Sequence, residues 1–232
     1  MFVLNPLPPQ IDPALIDLLA AAEPATIGHF LDYGIMDPAI RALVPDRRVA
    51  GTAVTVRVAG ADAAVVHYAL GQIRPGDVLV VDRGGDHRHA VFGGFAAFAA
   101  REAGCRGIVV DGVVTDIAEL RGFGMPVWAR GLTVVTTKRL FQNGEFCVPV
   151  SCGGVPVLPG DAILADDNGV LVLRPDQVET AARRAIALQE QEKRDIERLR
   201  AGVRLSELNG TDARLREILA RQISDAPAPA TR

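Results

Sequence analysis

Residues 49–58, VAGTAVTVRV, alternate apolar with small or polar positions and are rich in Val and Thr, which predicts a strand. Val78 to Val81 is instead a continuous apolar run bounded by turn residues, the pattern of a strand buried on both faces. Between them, Ala61 to Leu70 has helical spacing and RPGD at 74–77 marks a turn. The glycine loop DRGGD follows the second strand directly, and Ala90 to Ala103 then reads as a helix with Gly93-Gly94 in its first turns. The organising stretch is 107–131, GIVVDGVVTDIAELRGFGMPVWARG. It holds strand residues Ile108–Val110 and Val113–Val114 broken by Asp111-Gly112, a short helix at Ile117–Leu120, and a second strand at Pro126–Ala129. Strand, loop and helix in this alternation predict an α/β layer fold.

Before this region, residues 1–10 read as an arm, and Asp12-Pro13 opens a helix carrying Leu15, Leu18, Leu19 and Ala22. Pro24 ends that helix. A second is expected from Thr26 to Tyr33, stopped by Gly34, and a further helical turn from Met36 to Leu43. After Arg130, short strands are expected at 133–137, 147–150, 155–158 and 162–173, the last with a turn at Asp166–Gly169. From 175 to 200 the chain is one long helix dense in Glu, Gln and Arg, with Ile186, Leu188, Ile196 and Leu199 as its sparse apolar side. Such a helix serves either as a clasp on a neighbouring subunit or as a solvated surface helix. A shorter helix spans 212–223, and the tail from 224 to 232 reads as disordered.

The hydrophobic share of 49% over 232 residues is enough for one large core, and with only 5% aromatics that core is built of Val, Ala and Leu. A net charge of −3 without a basic patch argues against nucleic-acid binding. No apolar run reaches about 18 residues and no basic-then-apolar leader is present, so a soluble, cytoplasmic protein with no membrane partner is expected. Cys105, Cys147 and Cys152 form no C-x-x-C pair, as in a reducing compartment. Cys152 is a candidate nucleophile without an evident base; a buried or incidental thiol is the simpler reading.

Three features fall at strand ends, where ligands gather in α/β sheets. Arg83 to His89, RGGDHRH, offers cations and glycines to a carboxylate or phosphate, or is an exposed polar loop. His87 and His89 lack a third partner for zinc. Gly93-Gly94 either admits a ligand close to the backbone or packs tightly on the sheet. Thr115-Asp116 with Glu119 is close to a capping box, and is equally where a cation or an anionic substrate would be held. Asp166-Asp167-Asn168-Gly169 is acidic enough for calcium, but its spacing favours a hairpin turn.

Taken together, TIGHFLDYGIMDPAI, GDVLVVDRGGDHRHAVFGGFAAFAA, VVDGVVTDIAELRGFGMPVWARG, VPVSCGGVPVLPGD and ADDNGVLVL resemble the RraA-like family over roughly residues 24 to 175. The family includes divalent-metal-dependent 4-hydroxy-4-methyl-2-oxoglutarate aldolases and the regulator of ribonuclease activity A. The resemblance implies a swivelling β/β/α domain spanning the chain, with N-terminal helices and a C-terminal helical extension over 176–223. It also implies a homotrimer or a dimer of trimers, with the site at the subunit boundary.

The aldolases of the family share an acidic residue, twenty residues, then Arg-Asp. By that match Asp116 is the metal residue, for Mg2+ or Mn2+, while the arginine position is Thr115 and the first acidic position Gly94. The substrate loop corresponds to Gly93, Gly94, Phe95 and Ala96. Losing the arginine costs on the order of several kcal/mol of carboxylate binding. Losing the acid removes a proton relay worth roughly a hundredfold in rate. Arg83, Arg88 and Arg130 are the cations available to replace the first. The function this resemblance implies is a metal-dependent carbon–carbon lyase acting on a small 2-oxo acid. The alternatives are a regulatory protein on the same fold and an enzyme built on the Arg83–His89 loop with His87 as acid or base.

Overall fold

Strands that are apolar on both faces need cover on both, and the chain supplies it from different segments. In order, the elements are β1 (Phe2–Leu4), α1 (Pro13–Ala20), α2 (Pro24–Ile27), β2 (Arg41–Ala42), β3 (Val49–Arg57), α3 (Ala64–Leu70), β4 (Asp77–Asp82), α4 (Gly94–Glu102), β5 (Gly107–Val114) and α5 (Ile117–Phe123). There follow β6 (Val127–Leu132), β7 (Gly144–Phe146), β8 (Val150–Cys152), β9 (Val155–Val157), β10 (Ala162–Asp166), β11 (Gly169–Leu173), α6 (Val178–Arg200), α7 (Leu205–Leu208) and α8 (Thr211–Ser224). This computed structural model describes residues 1–224, so the expected tail lies outside the described residues apart from Ser224, which closes α8.

β3, β4, β5 and β6 pair in parallel, each crossover made by a helix, α3, α4 or α5. β3 is shared: β10 pairs antiparallel with residues 49–52 and β7 antiparallel with Val56 and Arg57. β11 extends from β10, β1 runs parallel to β7, and β2 closes the other edge on β6. On one face Val54, Val56, Leu79, Val81, Ile108 and Val110 pack under α3, α4 and α5. The alternate residues Ala53, Val78, Val80, Val109 and Trp128 face the β8–β9 hairpin and the inner side of β10–β11. The period-2 alternation of a strand thus feeds two cores at once. Trp128 is fully buried and donates its indole N–H to the Asp166 carbonyl at 2.7 Å. A third cluster joins α1, α2 and the outer side of β10–β11 to Val178, Ala181, Ala182 and Ala185 of α6. Arg184 stacks over Phe30, 4.0 Å from the ring centre.

At the carboxyl ends of the parallel strands a charged row runs from β3 to β6, with two carboxylates flanked by two arginines: Arg57, Asp82, Asp111, Arg130. Arg57 Nε bonds Asp82 at 3.2 Å and Arg130 Nε bonds Asp111. The same carboxylates accept the Ser151 and Gly153 N–H groups, at 3.2 and 2.8 Å, and so dock the β8–β9 hairpin.

Several expectations are corrected. The N-terminal arm contains a strand, because Phe2–Leu4 finds an open edge on β7. The helix from Thr26 is a single turn, Pro24–Ile27, and Met36–Leu43 is turn plus the short strand β2 rather than helix. Residues 133–137 contribute only a bridge from Thr136 to Ala90. The strand expected at 147–150 is Val150–Cys152, and β7 lies at Gly144–Phe146 where none was expected. α4 starts at Gly94, not Ala90. The break at Asp111-Gly112 is a bulge that shifts the β5–β6 register.

The chain divides into two compact units, Met1–Ile186 and Ala187–Arg232. In the second, the rest of α6 with α7 and α8 carries surface ion pairs at helical spacing, such as Arg198–Asp195 at 3.4 Å and Arg214–Glu217 at 3.0 Å.

Candidate functional site

The turn from β5 into α5 faces the amino end of α4. Asp116 adopts a left-handed conformation, φ 57° and ψ 42°, which costs a non-glycine residue about 1–2 kcal/mol. This turns its side chain away from the helix it opens: α5 has no side-chain cap, so Asp116 and Glu119 form no capping box. Instead Asp116 Oδ2 accepts the Gly94 N–H at 2.9 Å, capping α4 from outside, and Oδ1 accepts the Thr115 hydroxyl at 3.2 Å. Thr115 N–H donates to the Phe92 carbonyl at 3.0 Å, which ties the two turns together. The Asp116 carboxylate is exposed, and its left-handed backbone is shared by Asp46, Phe141 and Cys147 among the described non-glycine residues.

Gly93 is the cap residue of α4 and Gly94 its first helical residue. Position 93 has no room for a side chain, and position 94 has room only if the exposed Glu119 side chain moves. A methyl group at 93 would stand 2.5 Å from Asp116 Oδ2 and 2.7 Å from the Thr115 methyl, and one at 94 would fall on the Glu119 carboxylate. These glycines are therefore explained by two carboxylates lying across the start of α4.

Beside them is an open depression of about 170 Å³. Gly93, Phe95, Ala96, Thr115 and Asp116 all border it, so the structure brings together the residues that the motif match singled out, with Gly94 immediately behind them. Its other side is His67, Phe92, Thr136 and Thr137. His67, at the end of α3, carried no local signal, since one histidine among apolar helix residues reads as packing. Burial, and then the charge of Arg139, push its pKa down, so the imidazole is neutral at neutral pH.

Asp62 explains how Arg139 comes to be there. This buried carboxylate accepts N–H groups from Ala64, Leu140 and Gln142 at 2.9, 3.0 and 2.7 Å, fastening the 138–143 loop to the start of α3. Burial opposes its charge, but the backbone donors outweigh it and its pKa is lowered.

Two of the three candidate replacement cations are committed elsewhere. Arg83 is fully buried: it donates to the carbonyls of Val58 and Gly60 at 2.8 and 2.5 Å and pairs with Asp86 at 3.1 Å. Gly112 leaves it space, for a methyl there would lie 2.6 Å from Arg83 Cγ. Asp86 in turn bonds His89 Nδ1 at 2.8 Å, so RGGDHRH is a loop built around an internal strut. Arg130 is held by Asp111 and, at 3.0 Å, by Asp37. Arg88 is exposed. Cys152 is fully buried, and burial with Asp111 and Asp82 nearby drives its thiol pKa well up, so it is no nucleophile. Asp166–Gly169 is the β10–β11 hairpin turn.

Comparison with known proteins points the same way. The RraA-like family model (Aldolase/RraA) matches residues 17–172. A 4-hydroxy-4-methyl-2-oxoglutarate aldolase of Thermus thermophilus is 42% identical over 127 residues, 54% of this chain and 76% of that protein. The structure of the RNA-processing inhibitor RraA from Thermus thermophilus is similar with a TM-score of 0.58 at 35% identity, over 63% of this chain and 88% of that one. An uncharacterized protein from Pseudomonas syringae superposes with a TM-score of 0.74 at 26% identity, over 89% of this chain and 99% of its own. An α/β fold of this topology, a site at its β5–α5 turn and a match over two thirds of the sequence lead to one conclusion: the chain belongs to the RraA-like family.

Proposed function

We propose that the protein is a divalent-metal-dependent carbon–carbon lyase that cleaves or decarboxylates a small 2-oxo acid. The observation that carries this reading is Asp116, fixed in a strained turn with its carboxylate exposed at the rim of the depression. The donors there fit Mg2+ or Mn2+: carboxylate and hydroxyl oxygens, with no cluster of three His, Cys, Asp or Glu among the described residues, so water would fill most of the coordination sphere. When bound, such an ion polarises the 2-oxo group and stabilises the negative charge that develops as the bond breaks.

With Thr115 in place of the arginine, the substrate carboxylate would rest on the first-turn N–H groups of α4 at Phe95 and Ala96. Thr136 of the rim and the positive charge of Arg139 near His67 would favour an anion there. A binding mode without the bidentate arginine favours a substrate different from that of the aldolases. Phe95 and Val134, 80% and 94% exposed, are apolar surface beside or near this rim, consistent with a homotrimer or dimer of trimers whose subunit boundary covers the site.

The test is pyruvate release with Mg2+ across a panel of 4-hydroxy-2-oxo acids and oxaloacetate. Turnover is expected, and Asp116→Ala should reduce it about a hundredfold or more with the fold intact. Thr115 and Gly94 favour a second reading, a regulatory protein like the RNA-processing inhibitor named above. No turnover beyond the Asp116→Ala level would establish that reading over the first.

A further inference from the structure

We infer that Glu119 occupies the side-chain place of residue 94 and serves as the proton-transfer group of the site. The assignment rests on the lyase reading and adds to it a residue from a different element. A side chain at 94 would begin where the Glu119 carboxylate now lies: its first carbon would fall on Oε2 and stand 2.5 Å from Cδ and 2.9 Å from Cβ. In this arrangement a side chain at 94 and the Glu119 carboxylate compete for one space.

Glu119 is placed there by the backbone. Its N–H, with that of Leu120, closes the first turn of α5 on the Asp116 carbonyl, at 2.9 and 3.0 Å. The metal residue and Glu119 are thus one helical turn apart; the Asp116 carboxylate lies against Gly93 and the Gly94 N–H, and that of Glu119 against Gly94. Asp116 uses one oxygen on the Gly94 N–H. The Glu119 side chain makes no hydrogen bond or ion pair among the described residues and is exposed, so its oxygens are free to exchange a proton with a bound molecule or through one water.

In retro-aldol cleavage of a 4-hydroxy-2-oxo acid the proton balance closes on this one group. The Glu119 carboxylate takes the proton of the C4 hydroxyl as the C3–C4 bond breaks, and the electron pair moves into the three-carbon enolate. The same proton then returns to C3 to give pyruvate, so no co-reactant is needed. The last step run backwards removes a proton from the methyl group of pyruvate.

That partial reaction provides a test that does not need the natural substrate: exchange of pyruvate methyl protons in deuterated water with Mg2+, followed by NMR. Glu119→Gln should slow exchange about a hundredfold or more, with Mn2+ affinity measured by calorimetry within a few-fold of the unmodified protein. Gly94→Asp with Glu119→Ala should recover exchange, whereas Gly94→Asp alone should not, because the two side chains compete for one space. Independently of activity, Gly94→Ala should lower the melting temperature by about 2–4 °C with Glu119 present and by clearly less in the Glu119→Ala background. Full exchange in Glu119→Gln, or an equal cost of Gly94→Ala in both backgrounds, overturns the assignment. No exchange in the unmodified protein, with the melting-temperature coupling intact, overturns instead the lyase reading and with it the proton-transfer role.

Discussion

Arg83 is a fully buried charge on which several groups of its loop depend. Its guanidinium is out of water and satisfies two loop carbonyls and Asp86, so Arg83→Met would strand several acceptors at once. A loss of about 3–5 kcal/mol in urea unfolding is expected. Asp86 makes the same loop sensitive to acid. Although burial opposes its charge, the N–H groups of Arg88 and His89, the His89 ring and Arg83 together lower its pKa to about 2. A carboxyl whose folded pKa is depressed contributes stability that is fully present above its unfolded pKa, and loses it as pH falls through the folded value. Between pH about 4 and about 2 the protein should therefore lose about 2 kcal/mol that Asp86→Asn does not lose, read from denaturation midpoints across that range.

At the same scale, the site was legible only in part. Gly93 to Ala96 and Thr115-Asp116 are picked out by the family motif, and locally only by the paired glycines and an acid after a strand. His67 borders the depression through α3, and Arg139 acts on it from a loop folded over Asp62, contacts that no local pattern encodes. The candidacy of Arg83 for a ligand failed because a charged residue beside glycines looks the same in sequence whether it points out or in.

Among the elements, β3, β4 and the β10–β11 hairpin follow from their apolar patterns because each buries at least one full face. β1 and β7 escape such reading: each is three residues long, and Phe2 pairs with Gly144, far along the sequence. α5 starts at Ile117 as expected but runs on to Phe123, and the cap expected of Asp116 is absent because the left-handed turn there redirects its side chain to another helix. The β8–β9 hairpin depends on the charged row beneath it. Asp111→Ala would leave the buried Gly153 N–H without an acceptor while Arg130 keeps only Asp37. This should cost about 3 kcal/mol and speed amide exchange at Gly153 far more than at Val80 of the central sheet.

For the molecule as a whole, the two compact units differ in kind. Residues 1–186 contain all three buried apolar clusters, whereas the described part of the second unit relies on exposed ion pairs of low individual worth. A chain ending at Ile186 should accordingly fold, keep a cooperative calorimetric transition, and bind Mn2+ as the full chain does; an uncooperative transition would show that the first unit needs the second. No helix among the described residues is long and apolar enough to cross a membrane. Trp128 is the sole tryptophan and sits at the centre of the first unit, between two strand layers. Its fluorescence is consequently a private reporter of residues 1–186, while the ellipticity of α7 and α8 belongs to the remainder. A single heating experiment recorded by both signals would therefore reveal whether the two parts melt in one event or in sequence, without any label being attached.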